Sequence, residues 1–63
     1  MNRQEAIELA IALQQESDAE DTGWSYDVVQ ADSRDQWAVA AQDEDGTPTS
    51  IWVSPDLSFP TNF

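Results

Sequence analysis

The chain contains no cysteine and no histidine, and its two basic residues are both arginine, so it has no lysine either. Without cysteine there is no disulfide, and cysteine usage says nothing about the redox state of the compartment. Zinc and haem lose their usual ligands, so we expect neither a metal nor a cofactor. No side chain is present for a thiol nucleophile, a histidine base or a Schiff base. We therefore expect a protein that is not an enzyme.

Glycine and long hydrophobic runs are also scarce. Two glycines cannot build a glycine-rich phosphate loop. No apolar run reaches the about 18 residues that a membrane span needs, so we expect no membrane association. Glu5 and Glu8 interrupt the N-terminal stretch where a secretory signal would be apolar. These features predict a cytoplasmic protein with a single small acidic domain, residues 1–63.

Basic residues are also scarce. Thirteen acidic residues against two arginines give a net charge of −11. This charge argues against direct binding to nucleic acid, whose phosphates need cations, and favours a partner with a basic surface. The alternative interpretation is an acidic surface of the halophilic type, or one selected for solubility alone.

The chain is organised around residues 36–53, which we interpret as two strands joined by an acidic turn. Trp37 and Val39 alternate with smaller residues in the first strand, and Ile51 and Val53 alternate with polar residues in the second. The Asp-Gly pair ending at Gly46 indicates a hairpin, because glycine accepts positive φ. We expect these four apolar side chains to face a helix.

That helix is predicted from Asn2 to about Ser17. Asn2 followed by Glu5 has the spacing of a capping box, and an apolar stripe that includes Ala10 and Leu13 indicates one buried face. An acidic loop, an additional strand near residues 24–31 and a tail without clear period complete the chain. We therefore predict an α+β domain, with one N-terminal helix packed on a three-stranded antiparallel sheet. The expected core contains Ile7, Ala10, Leu13, Trp37, Val39, Ile51 and Val53.

Nine carboxylates cluster in the segments predicted to be loops and turns, where they could form one surface. DNA carries one charge per about 1.7 Å of axis, so a protein that imitates DNA needs dense carboxylates on a rigid support. Trp52 alternates with Ile51 and Val53; if the helix covers those two, Trp52 is an exposed anchor for a partner unless the tail covers it. The predicted partner-binding residues are Glu16, Asp18, Glu20, Asp21, Asp32, Asp35, Asp43, Glu44, Asp45 and Trp52.

Four short stretches resemble a PepSY-type module, which has a helix followed by a meander of strands. They are residues 5–10 (EAIELA), 37–39 (WAV), the pair Asp45-Gly46, and residues 51–56 (IWVSPD). Leu57-Ser58 stand where that family usually has Thr-Gly. The resemblance implies a protein-binding module with a peptide or enzyme partner.

The whole chain also resembles the small acidic anti-CRISPR proteins encoded by phages. The resemblance is carried by size, charge, the missing cysteine and histidine, and the single α-β-β-β unit, and not by a motif. It implies a monomeric inhibitor that blocks a CRISPR effector complex, in some cases by imitating DNA. We prefer this interpretation because it accounts for the charge of −11, and we expect a basic surface, such as that of a Cas effector subunit, as the partner.

Overall fold

The computed structural model of the chain describes residues 1–31 and 34–61. One helix precedes an antiparallel sheet in these residues, and the strands follow each other in chain order across the sheet. The α+β class is thus confirmed. The elements are α1 (Arg3–Glu20), β1 (Ser25–Gln30), β2 (Trp37–Gln42), β3 (Pro48–Ser54) and β4 (Leu57–Pro60).

The predicted number of strands is wrong, because the sheet has four strands rather than three. The additional strand, β4, follows a turn at Pro55 and Asp56 and pairs with β3. All four of its residues are exposed, so it lacks the alternation of buried and exposed positions that identifies a strand in a sequence. Pro60 is compatible with this position, since an edge strand has one side that donates no ladder hydrogen bond.

The predicted capping box begins α1. The side chain of Asn2 accepts a hydrogen bond from the backbone N–H of Glu5 at 2.8 Å, and the Glu5 carboxylate accepts one from the backbone N–H of Asn2 at 3.2 Å. Two of the N–H groups that a helix start leaves unpaired are thereby satisfied. The capping box is confirmed, and it fixes the start of the helix at the end of the molecule where Met1 accepts a hydrogen bond from the backbone N–H of Trp37.

α1 packs on β1 and β2, and the core lies between them. Ala6, Ala10 and Val39 are the buried members of the core. The small alanine side chains on the helix bring its backbone close to the sheet, and larger side chains pack around the buried cluster. These partly buried side chains are Met1, Leu9, Leu13, Tyr26, Val28, Trp37 and Trp52.

The prediction of which β3 side chains face the helix is wrong, because the buried face is shifted by one residue. Val39 pairs with Trp52, and Ala40 pairs with Ile51. Directly opposed residues of neighbouring strands lie on the same face, so Trp52 faces the helix with Val39, and Ile51 faces the other way. The core cluster accordingly contains Trp52 but not Ile51, Val53 or the predicted Ile7.

A β-bulge explains this error. Ala41 pairs with Ser50, but the next residue, Gln42, pairs with Pro48, which leaves Thr49 as an extra residue in β3. Because side chains alternate with period 2, one extra residue exchanges the two faces of the strand beyond it. Both faces of β3 carry an apolar residue, so the alternation in the sequence does not show which face is buried.

Candidate protein-binding site

The acidic segment after residue 16, predicted to be a loop, is the last turn of α1 and its cap. The helix continues to Glu20, and Asp21 ends it in the left-handed conformation at φ 56°. The hydroxyls of Ser17 and Thr22 are hydrogen-bonded, and Ser17 is buried. These contacts hold the last turn although its carboxylates face the negative end of the helix dipole. Glu16, Asp18, Glu20 and Asp21 therefore stand on a helix rather than on a mobile loop.

Gln14 is a structural residue that the sequence patterns did not reveal. Its side-chain nitrogen donates to the backbone carbonyl of Trp24 at 3.0 Å and to the carboxylate of Asp18 at 3.1 Å. Its side-chain oxygen accepts a hydrogen bond from the backbone N–H of Tyr26 at 3.2 Å. One amide thus ties the start of β1 to the helix. A glutamine at the edge of an apolar stripe carries no sequence signal of this role.

The turn between β2 and β3 supplies three further carboxylates. One oxygen of Asp43 accepts hydrogen bonds from the backbone N–H groups of Asp45 and Thr47, each at 2.9 Å. Gly46 has φ 82°, as the predicted hairpin requires, and its backbone N–H donates to the Asp43 carbonyl at 3.0 Å. Asp43 is half-buried in this role, whereas Glu44 and Asp45 are exposed. The turn therefore presents its carboxylates from a hydrogen-bonded frame.

The fold brings the helix end and this turn together. Ser25, at the start of β1, pairs with Gln42, the residue before the turn. A methyl group at Gly23 would lie 3.1 Å from Cβ of Glu44, so the loop after α1 contacts the turn directly. Seven of the predicted carboxylates thus share one end of the molecule, which we call the acidic pole. It consists of Glu16, Asp18, Glu20, Asp21, Asp43, Glu44 and Asp45.

The other two predicted carboxylates are not part of this pole. Asp35 lies in the connection between β1 and β2, at the opposite end of the antiparallel sheet. Asp32 lies outside the described residues. Arg34 is in the same connection, and Arg3 lies at the start of α1 with its guanidinium 5.8 Å from the ring centre of Trp37. Both arginines are therefore remote from the acidic pole, as is the N-terminal amine, which donates to Gln36.

The structure places Trp52, the predicted anchor, on the same face of the sheet as Val39. It is half-buried on the helix side of the sheet and packs against the core. The exposed large hydrophobic side chains among the described residues are Ile11, Leu57 and Phe59.

A groove of about 270 Å³ lies beside the acidic pole, between the last turns of α1 and the start of β1. Glu16 and Glu20 line it from the helix, and Trp24 and Tyr26 line it from the strand side. The pKa of the Tyr26 hydroxyl is raised above its ordinary value of 10.0, first by burial and then by the negative charges of Glu16 and Glu20. The electric field of both carboxylates therefore reaches the aromatic side of the groove.

The described residues contain no group of three or more carboxylates placed to hold one metal ion. In the same residues, no helix has the length and hydrophobicity that crossing a membrane requires.

Comparisons with protein-family models, with curated proteins and with solved structures find no match to this chain. A function for this chain is therefore proposed from the placement of its charges and from the groove beside them.

Proposed function

We propose that this protein is a non-enzymatic inhibitor that binds the basic nucleic-acid-binding surface of another protein and keeps DNA away from it. The observation that supports this function is the segregation of charge. Seven carboxylates form the acidic pole, and both arginines lie toward the opposite end. An acidic composition selected only for solubility has no need of this arrangement.

The acidic pole suits a surface that normally holds phosphates. Such a surface presents lysine and arginine side chains, which position the DNA backbone without reading its sequence. Carboxylates accept hydrogen bonds from the same cations. The pole presents them from a helix end and from a hydrogen-bonded turn, so little backbone conformational entropy is lost when they bind. Complementary charge also speeds association and makes it sensitive to salt.

The specific form of this proposal is an anti-CRISPR protein that acts on a CRISPR effector complex. Effector complexes hold DNA in positively charged channels and use arginines to read the short motif beside the target. The pole would occupy part of such a channel. In the PepSY-like alternative, a peptide or enzyme partner binds elsewhere on the domain, and the carboxylates are incidental.

The first experiment identifies the partner. The immobilised chain is incubated with a lysate of a CRISPR-bearing bacterium, and the captured protein is then tested for DNA binding with and without the free chain. We expect the chain to displace the DNA. Capture of a protein that binds no DNA, or that keeps its DNA, would favour the alternative.

The second experiment separates the position of the charges from their number. Two triple variants each neutralise three pole carboxylates, and a control neutralises three carboxylates outside the pole. Amides keep the side-chain oxygen that organises the turn at Asp43, and asparagine tolerates the left-handed conformation at Asp21. The variants are D43N/E44Q/D45N, D18N/E20Q/D21N and the control E8Q/D27N/D56N.

Each pole variant should need about tenfold more protein than the parent to displace DNA. The control variant, which carries the same net charge as the pole variants, should stay within about twofold of the parent. Equal losses in all three variants would mean that only net charge matters. Unchanged displacement by both pole variants would show that the acidic pole is not the binding surface.

A further inference from the structure

The groove between α1 and β1 combines two features that suit a cationic ligand. Glu16 and Glu20 are one helical turn apart on the same side of α1, so both carboxylates can approach one cation. Trp24 and Tyr26 supply aromatic rings, which attract cations through their negative faces. Both aromatic residues are half-buried, so part of each is available to a ligand.

The groove is held in shape by the fold. The Gln14 side chain bonds to the backbone of both aromatic residues, and the hydroxyls of Ser17 and Thr22 fasten the helix end to the loop. The site therefore needs little rearrangement to bind. Its volume of about 270 Å³ leaves room for one amino-acid side chain.

We propose that this groove binds one arginine side chain of the protein partner, with its guanidinium against Trp24 or Tyr26 and paired with Glu16 and Glu20. Arginine fits better than lysine, because a guanidinium is planar, stacks on aromatic rings and donates several hydrogen bonds in a fixed fork. Lysine offers a compact and strongly hydrated charge. That the arginine comes from the partner rests on the proposed function, whereas the binding of a guanidinium to the groove does not.

The test uses the free protein and small probes. N-acetyl-arginine amide is titrated into isotopically labelled protein, and the indole N–H signal of Trp24 and the amide signals of the groove are followed by NMR. The matched probe is N-acetyl-citrulline amide, which has nearly the same shape without the charge. A third probe, N-acetyl-lysine amide, carries the charge without the planar fork.

We expect the arginine probe to shift the groove signals in a saturable way, the lysine probe to bind more weakly, and the citrulline probe to leave them unchanged. In the double variant E16Q/E20Q, affinity for the arginine probe should fall about tenfold. In E8Q/D56N, which has the same charge but an intact groove, it should stay within about twofold.

Equal shifts with citrulline and arginine, or shifts that do not centre on the groove, would overturn the proposal, and this comparison needs no variant to fold. Equal affinities of the two double variants for the arginine probe would also overturn it. Failure of the arginine probe to bind would also overturn the proposal, and would leave the proposed function to be decided by the DNA-displacement experiment. If the probe binds as expected but E16Q/E20Q displaces DNA as well as E8Q/D56N does, the partner does not supply the arginine.

Discussion

Individual acidic residues have different roles in this protein, although the sequence presents them as one class. Asp43 organises a turn through two backbone hydrogen bonds, and Asp21 ends a helix in the left-handed conformation. Glu5 completes the capping box. Glu16 and Glu20 face an aromatic groove. Of these five residues, only Glu16 and Glu20 line the groove in which we propose that a guanidinium binds.

At the scale of one residue, Tyr26 gives a prediction about pH. Burial, and then Glu16 and Glu20, raise its pKa in the folded chain above the ordinary value of 10.0 that it has when unfolded. The folded state therefore keeps its proton to higher pH. The free energy of unfolding should be insensitive to this group below pH 10.0, and should fall as the pH rises from there through the folded-state pKa.

This prediction is tested by urea unfolding at a series of pH values. The parent should lose stability above pH 10.0, and Y26F should lack that component, since the chain has no other tyrosine, no lysine and no cysteine. Absorbance titration of E16Q/E20Q should show a lower pKa of Tyr26 that still exceeds 10.0, because burial remains. An identical pH dependence in Y26F and the parent would contradict the assignment.

At the scale of elements, the contact between the loop after α1 and the β2–β3 turn joins the two halves of the acidic pole. Two glycines allow a matched test. Gly23 and Gly46 both have positive φ, at 78° and 82°. A Cβ at Gly23 would lie 3.1 Å from Cβ of Glu44, whereas a Cβ at Gly46 would have nothing within 4 Å.

We expect G46A to destabilise the fold by about 1–2 kcal/mol, from the left-handed backbone alone. G23A should destabilise the fold more than G46A, because displacement of Glu44 adds to the same backbone strain. Urea unfolding of both variants gives the comparison. If G23A proves no more destabilising than G46A, the two elements are not in close contact and the acidic pole is not one surface.

The sequence predicts where the helix and strands lie better than it predicts which side chains of each strand are buried. The capping box, the Asp-Gly hairpin and the alternation around Trp37 and Val39 depend on local chemistry, and they were predicted. The end of α1 was missed because it depends on distant contacts of Gln14 and on the pairing of Ser17 with Thr22. The bulge at Thr49 reversed the faces of β3, and the exposed β4 had no pattern to recognise.

The candidate site was predicted in composition but not in geometry. The sequence identifies the carboxylates, since nine of them cluster in segments predicted to be loops and turns. It does not show that the antiparallel order places Asp35 at one end and Asp45 at the other. The groove was not foreseen either, because Glu16 and Glu20 line it with Tyr26 only once the helix continues past Ser17.

At the scale of the whole molecule, a net charge of −11 on 63 residues opposes folding through self-repulsion. The pole concentrates this repulsion. Added sodium chloride screens exposed charges, with a Debye length of about 8 Å at physiological ionic strength. The melting temperature should therefore rise with salt.

Circular-dichroism melts from dilute buffer to high salt measure this effect. A protein of the proposed function should already be folded near physiological ionic strength, and salt should add only stability. A chain that is unfolded until salt reaches molar concentrations would support the halophilic interpretation. A melting temperature that falls with salt would show that repulsion does not limit stability.

The proposed function rests on the claim that the acidic pole and DNA occupy the same surface of the partner. A competition titration with the captured partner tests this claim. The concentration of chain that displaces half of a labelled DNA duplex is measured at several DNA concentrations above the dissociation constant. If the two ligands exclude each other, this concentration should rise in proportion to the DNA. A half-displacement concentration that does not change with DNA, or a stable complex containing both ligands, would contradict the claim.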